Sequence, residues 1–190
     1  MGYEILIFFG VILIFGYIWY ANIIMKRNKV LEALSSIDVH LNMRFDLIPN
    51  ILKIAKKFMS HEKELLDEIT RLRTGVEKSY DRKDGREVEE HLTQARQLSE
   101  KVSQLMITVE NYPDLKSDQT MVQAMQTYNE VEGRIAAARR FYNASVTDLN
   151  NSIQIFPGSF LANLAGVTEM PFLEFEAVVK APVNVDQYLN

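Results

Sequence analysis

The 190-residue chain has no cysteine, only five prolines and only eight glycines. The first absence excludes disulfides and thiolate metal sites. The scarcity of proline and glycine argues against a sheet protein with many turns and favours long helices. An overall basic excess is also missing. A formal net charge of −4 argues against a general nucleic-acid binder. No glycine-rich phosphate loop appears, nor a nucleophile with a base beside it. The histidines, His40, His61 and His91, form no recognisable cluster. "HEKEL" at His61 begins like the zinc-protease helix HExxH, but Leu65 stands where the second histidine belongs, and one histidine cannot hold that metal. We therefore expect no catalytic, cofactor-binding or metal-ligating residues, no cofactor and no enzyme.

What the chain does have begins with "ILIFFGVILIFGYIWYANIIM", Ile5 to Met25, 21 residues without a charge. About 20 apolar residues suffice for a helix to cross a bilayer. Tyr17, Trp19 and Tyr20 gather near one end, as an interfacial aromatic belt would. A cleaved signal peptide needs a basic start and a small-residue cleavage site, and both are missing. Leu6 stands where a myristoylation signal needs Ser or Thr. Lys26, Arg27 and Lys29 follow the apolar run, whereas Glu4 alone precedes it. The positive-inside rule then predicts a single-pass protein of the bacterial inner membrane, N-terminus outside and the remainder cytoplasmic.

From Lys26 to Lys57 there are seven Lys/Arg and three Asp/Glu, a balance of +4, while Phe58 to Asn190 carries −7. Such asymmetry fits charge complementarity inside a bundle. Apolar residues recur at three- and four-residue steps: Val30, Leu34, Ile37, Leu41, Phe45, Ile48, Leu52, Ala55 and Met59, then Leu65, Leu66, Ile69, Leu72 and Val76. This is one helix face. "SYDRKDGRE" interrupts it. A second arm carries Val88, Leu92, Ala95, Leu98, Val102, Leu105 and Val109 and ends at "NYPDLKSDQT", where Ser117 or Asp118 can cap the next helix. The last arm carries Met121, Met125, Tyr128, Ile135, Tyr142, Val146, Leu149 and Ile153, and "FPGSF" closes it. Each arm has one apolar stripe to bury, so the predicted fold is all-α: an N-terminal transmembrane helix, then an up-and-down antiparallel bundle of three to four long helices. The expected divisions are an anchor over 1–25, a cytoplasmic bundle over 26–156 and an apolar tail over 157–190.

Two charges interrupt the last stripe. Glu132 falls between Tyr128 and Ile135, and Arg139 between Ile135 and Tyr142. Buried charge needs a partner. The pair reads as a register-fixing polar network, or alternatively as a binding or proton-handling site. In "MRFDLIPNILKI" the stripe passes Pro49 unbroken, with Asp46 and Asn50 off it. Asp46 is placed to cap a helix restarting at Leu47, with Pro49 in its first turn, which predicts a kink there. "NAS" at Asn143 matches a glycosylation sequon but lies in a predicted cytoplasmic helix.

Several segments together resemble the LemA family: "DLIPN", "HE" at His61–Glu62, "YPDLK", "RIAAARRFYN" and "FP". The resemblance spans roughly residues 20 to 176, with Gly133 where relatives usually have Asn. It implies a single-pass bacterial membrane protein with a four-helix up-and-down bundle. The fourth helix would come from a break in the first arm, at Pro49 or near Ser60. It brings no catalytic activity. Relatives linked to membrane-organelle formation in magnetotactic bacteria make a membrane-shaping role worth considering. The structural or interaction candidates are Asp46, Pro49, Asn50, Glu62, Glu132, Arg134, Arg139, Arg140, Tyr142, Phe156 and Pro157.

The tail is apolar and proline-punctuated, unlike a disordered segment. Phe160, Leu161 and Leu164 could form an amphipathic turn, and "FLEFEAVV" could run extended. Such a tail could fold back on its own bundle or cross to a neighbour. The membrane surface is the weaker option, because the tail's acidic residues outnumber its single lysine. The functional expectation is a non-enzymatic scaffold: lipid contacts through residues 5–25, homo-oligomerisation, no nucleic acid, and no protein partner that the sequence identifies. The alternative is a membrane-tethered adaptor or sensor using the interior polar pair.

Overall fold

The computed structural model describes residues 2–76 and 79–173. Six helices follow one another: α1 (Gly2–Phe58), α2 (Lys63–Val76), α3 (Gly85–Val109), α4 (Pro113–Lys116), α5 (Gln119–Gln154) and α6 (Gly158–Ala165). There is no strand among the described residues. The fold is an all-α helical bundle.

At 1.5 Å per residue, the 57 residues of α1 extend for about 85 Å. One helix thus carries both the apolar segment and the first arm. The restart expected at Leu47 is not present. Helix continues through Pro49, and Asp46, exposed on the helix side, caps nothing. The reason lies in where the proline's missing N–H would have bonded. That partner is the carbonyl of Phe45, four residues back. In its place Arg73 of α2 donates from Nε to the Phe45 oxygen at 3.1 Å. The proline removes one intrahelical bond, and the freed acceptor becomes a docking point for the next helix. The chain instead breaks at Met59–Glu62, near Ser60, and α2 begins there.

Cross-chain contacts give the topology. Lys26 Nζ donates to the Asp148 carbonyl at 3.2 Å, and Arg44 meets Glu132 at 2.8 Å, so α5 runs antiparallel to α1. Lys101 pairs with Glu68 at 2.9 Å, and Gln94 lies beside Gly75, so α2 and α3 are antiparallel. Asp84 caps α3 by accepting from the Arg86 N–H at 2.8 Å, and Asp118 caps α5 by accepting from Met121 at 2.9 Å. The single turn α4, with Pro113 at its start, links the two. Burial follows the apolar stripes. Every α3 stripe residue is buried, as are Met121, Tyr128, Ile135, Tyr142, Val146 and Leu149 of α5. Val131 rather than Glu132 completes the inner face of α5.

After α5 the chain folds back on its own bundle. Gly166, in the left-handed conformation at φ 61°, ends α6, a position that suits a residue without Cβ. The following segment is held by side-chain amides of α5. Asn150 both donates to the Met170 carbonyl (2.9 Å) and accepts from its N–H (3.0 Å). Asn143 does the same for Leu173 at 2.8 and 2.9 Å. The asparagine of the sequon is thus an internal clamp. Tyr142 donates to the Pro171 carbonyl at 3.0 Å. The predicted amphipathic turn is α6, but it packs the other way round. Gly158 and Ala162 are buried and Leu161 and Ala165 half-buried, while Phe160 and Leu164 point outward. The expected extended stretch from Phe172 lies mostly outside the described residues.

Candidate functional site

Two clusters of charged side chains sit against α1. The first centres on Arg44, whose side chain is 0 % exposed. Its Nη1 donates to Glu132 Oε1 at 2.8 Å, and its Nη2 donates to the Ala95 carbonyl of α3 at 2.8 Å. Ser99 of α3 lies 3.4 Å from the same Glu132 oxygen, and the guanidinium carbon stands 5.5 Å from the Phe45 ring centre. Tyr128, one turn before Glu132, is kept protonated because burial raises its phenol well above the ordinary value. The group ties α1, α3 and α5 in one register. It is closed, and Glu132 finds its partner on α1 rather than at Arg139.

The second cluster opens to the surface. Asp38 of α1, nearly buried, accepts from the Tyr80 hydroxyl at 2.8 Å and pairs with Arg82 at 2.8 Å. Arg82 also donates to Ser35 Oγ at 3.2 Å. The His91 ring stacks on Tyr80 with centroids 4.1 Å apart, and its Nε2 lies 3.8 Å from Asp38. Burial holds His91 below the ordinary histidine value. The Asp38 carboxylate pulls the other way, and Arg82 adds to the lowering. The imidazole is therefore neutral at pH 7, and Arg82 is the cation that balances Asp38. These residues, with Leu31, Asn42 and Lys83, line an open cleft of about 580 Å³. The arrangement can present cations and a ring stack to a ligand. Asp38, already engaged by Tyr80 and Arg82, is poorly placed to act as a general base. Among the described residues no group of three or more His, Asp or Glu side chains is arranged to hold a metal ion.

The candidate residues from the sequence are dispersed over the bundle. Asp46, Pro49 and Asn50 are exposed on α1, and Arg134 and Arg140 are exposed on α5. Glu62 accepts from the Tyr112 hydroxyl at 3.3 Å, which joins the α1–α2 break to the "YPDLK" turn. Arg139 is half-buried in a small cleft with Glu89, Arg96 and Phe172. Tyr142 is fully buried on the C-terminal segment. Pro157, half-buried, and Phe156, exposed, form the α5–α6 connection. Sequence reasoning missed Arg44 and Asp38. Arg44 had a usable signal, because it stands three residues after Leu41 and four before Ile48, on the buried stripe itself.

The LemA family profile matches residues 33–186. Among curated proteins, Magnetosome protein MamQ 1 and Magnetosome protein MamQ 2 of Paramagnetospirillum magneticum are each 30 % identical over 86 residues, which is 45 % of this chain and 32 % of theirs. Magnetosome protein MamQ of Magnetospirillum gryphiswaldense is 29 % identical over the same length. The match thus spans about a third, 32 %, of the curated relatives.

Proposed function

Because the chain belongs to the LemA family, we propose that it is a non-enzymatic membrane-anchored scaffold that self-associates at the bacterial inner membrane and organises or shapes it. The observation that carries this reading is the continuity of α1. Among the described residues, the one helix long and apolar enough to cross a membrane is also the central helix of the bundle. No loop separates the two, so tilt or crowding of the bundles is transmitted to the bilayer. Lys26, Arg27 and Lys29 at the exit of the apolar run favour a cytoplasmic bundle and an outer N-terminus. The curated relatives, named for the magnetosome, support the organising part.

The test is native mass and negative-stain imaging of the full chain in detergent and in nanodiscs, paired with imaging of overproducing cells. Assemblies of several copies with altered membrane profiles are expected. Monomers throughout, in cells with ordinary membranes, would overturn the scaffold. The adaptor reading has a separate observation behind it, the open cleft at Asp38, since Arg44 closes the interior pair. An adaptor would retain a soluble partner in fixed ratio and lose it with Arg82→Ala.

A further inference from the structure

α6 is a short helix without a charge, GSFLANLA; Leu161 packs half-buried against the core, while Phe160 and Leu164 face outward. Phe160 is 68 % exposed and Leu164 73 %, one turn apart on one face. Phe156, 82 % exposed, precedes Phe160 by four residues, and Ile155 beside it is 61 % exposed. Four exposed large apolar side chains within ten consecutive residues are more than scattered single exposure and point to a contact. Their position along α1 identifies the contact.

The exposed apolar stretch of α1 runs from Ile5 to Tyr20, Gly10 and Gly16 being half-buried. That stretch is about 24 Å long, most of a hydrocarbon core. Ile23 is already fully buried in protein. α6 starts at that boundary. A Cβ placed on Gly158 would lie 3.2 Å from Trp19 Nε1 and 1.9 Å from the Ser152 carbonyl oxygen. Glycine therefore lets α6 turn sharply off α5 and seat against Trp19, and any side chain would push it away. The basic residues that follow begin at Lys26, about 10 Å further along α1 than Trp19.

We propose that the outward face of α6 is a second membrane contact, with Phe156, Phe160 and Leu164 seated in the interfacial layer of the bilayer that α1 crosses. This rests on the membrane-anchored reading above and adds a second point of attachment to it. Interfacial apolar segments bury about 5–10 Å into the headgroup boundary. The acidic residues that argued against a membrane role for the tail start at Glu169, after α6. Insertion here is apolar and does not depend on anionic lipid. One spanning helix leaves the tilt of the bundle free. A second contact beside it fixes which face of the bundle meets the membrane.

The chain has no cysteine, so single labels can be placed at will. Phe160→Cys, Leu164→Cys, Phe9→Cys and Ile107→Cys, each in the full chain, would carry an environment-sensitive fluorophore in pure phosphatidylcholine vesicles. Quenchers would sit on the lipid near the headgroup or near the chain end. Labels at 160 and 164 should be quenched several-fold more by the shallow quencher than by the deep one. The label at 9 should show the reverse, and the label at 107 on α3 neither. If 160 and 164 behave like 107 while 9 is quenched, the second contact is wrong and the anchor stands. If 9 is not quenched, the anchor itself is wrong. Labels at 160 and 164 that are shielded from water but untouched by lipid quenchers would assign the face to protein, and would equally overturn the proposal.

Discussion

Residues 3–20 and 23–58 of α1 are one helix with two kinds of surface. In the first stretch almost every side chain is apolar and exposed; in the second, one stripe is buried and the opposite side is polar. The first keeps all its backbone bonds internal and needs no neighbour. The second is ordered by what packs on it, and only there are charges taken inside, at Asp38 and Arg44. One helix thus stays apolar and uncovered at one end and takes charges inside at the other, because the neighbours that accept those charges are confined to one end.

The largest effect should come from the Arg44 node. Glu132→Ala leaves a buried guanidinium without its carboxylate. Unfolding free energy should fall by about 2–4 kcal/mol, somewhat under the usual range for a buried pair because Glu132 is partly exposed. Denaturant titration of the full chain in detergent reads this, and an unmoved midpoint would show that the node is dispensable. Arg44→Met combined with Glu132→Leu should recover most of the loss.

Next comes the proline. Arg73→Ala leaves the Phe45 carbonyl without a donor and should destabilise by about 1–3 kcal/mol. In a Pro49→Ala background the new N–H can take that carbonyl, so the same change should cost less, with a coupling of about 1 kcal/mol. Additive effects would mean that Arg73 does not stand in for the missing N–H. Asn150→Ala removes both bonds that hold Met170 and should cost about 1–2 kcal/mol. Limited proteolysis should then cut near residue 170 before it cuts the bundle. Resistance equal to that of the parent chain would show that the clamp is redundant.

The smallest effect is a pH dependence. His91 is neutral when folded and held below the ordinary value by burial. As pH falls below about 6.5 the unfolded chain takes up a proton first, so stability declines from there until the folded form protonates as well. Unfolding midpoints measured across that range should fall less steeply for His91→Gln. Identical slopes would show that the cleft histidine does not contribute.

Much of the fold was legible because its signals are local. The stripes of α1, α3 and α5 depend on residues within a turn or two of one another, as does a cap at Ser117 or Asp118, of which Asp118 serves; the break in the first arm was narrowed to Pro49 or Ser60, and it falls near Ser60. The candidate site was less legible. Asp38 receives Tyr80 from 42 residues away, and Arg44 receives Glu132 from 88. Pro49 looked like a break because its cost is visible locally, while the arginine that takes up the freed carbonyl is on another helix. Phe160, Leu161 and Leu164 were grouped in one amphipathic turn, but of the three only Leu161 packs on the bundle, because the close approach of α6 to Trp19 is made through Gly158.

Helix length, the uncharged run and the three- and four-residue spacing were sufficient to specify an all-α bundle with one long apolar N-terminal helix, because backbone bonding and amphipathic burial act between near neighbours. Which charges went inside, why the proline left α1 whole and which face of α6 turned outward depended on the packing of distant segments. A buried charge or a freed carbonyl is stable only where another helix supplies its partner.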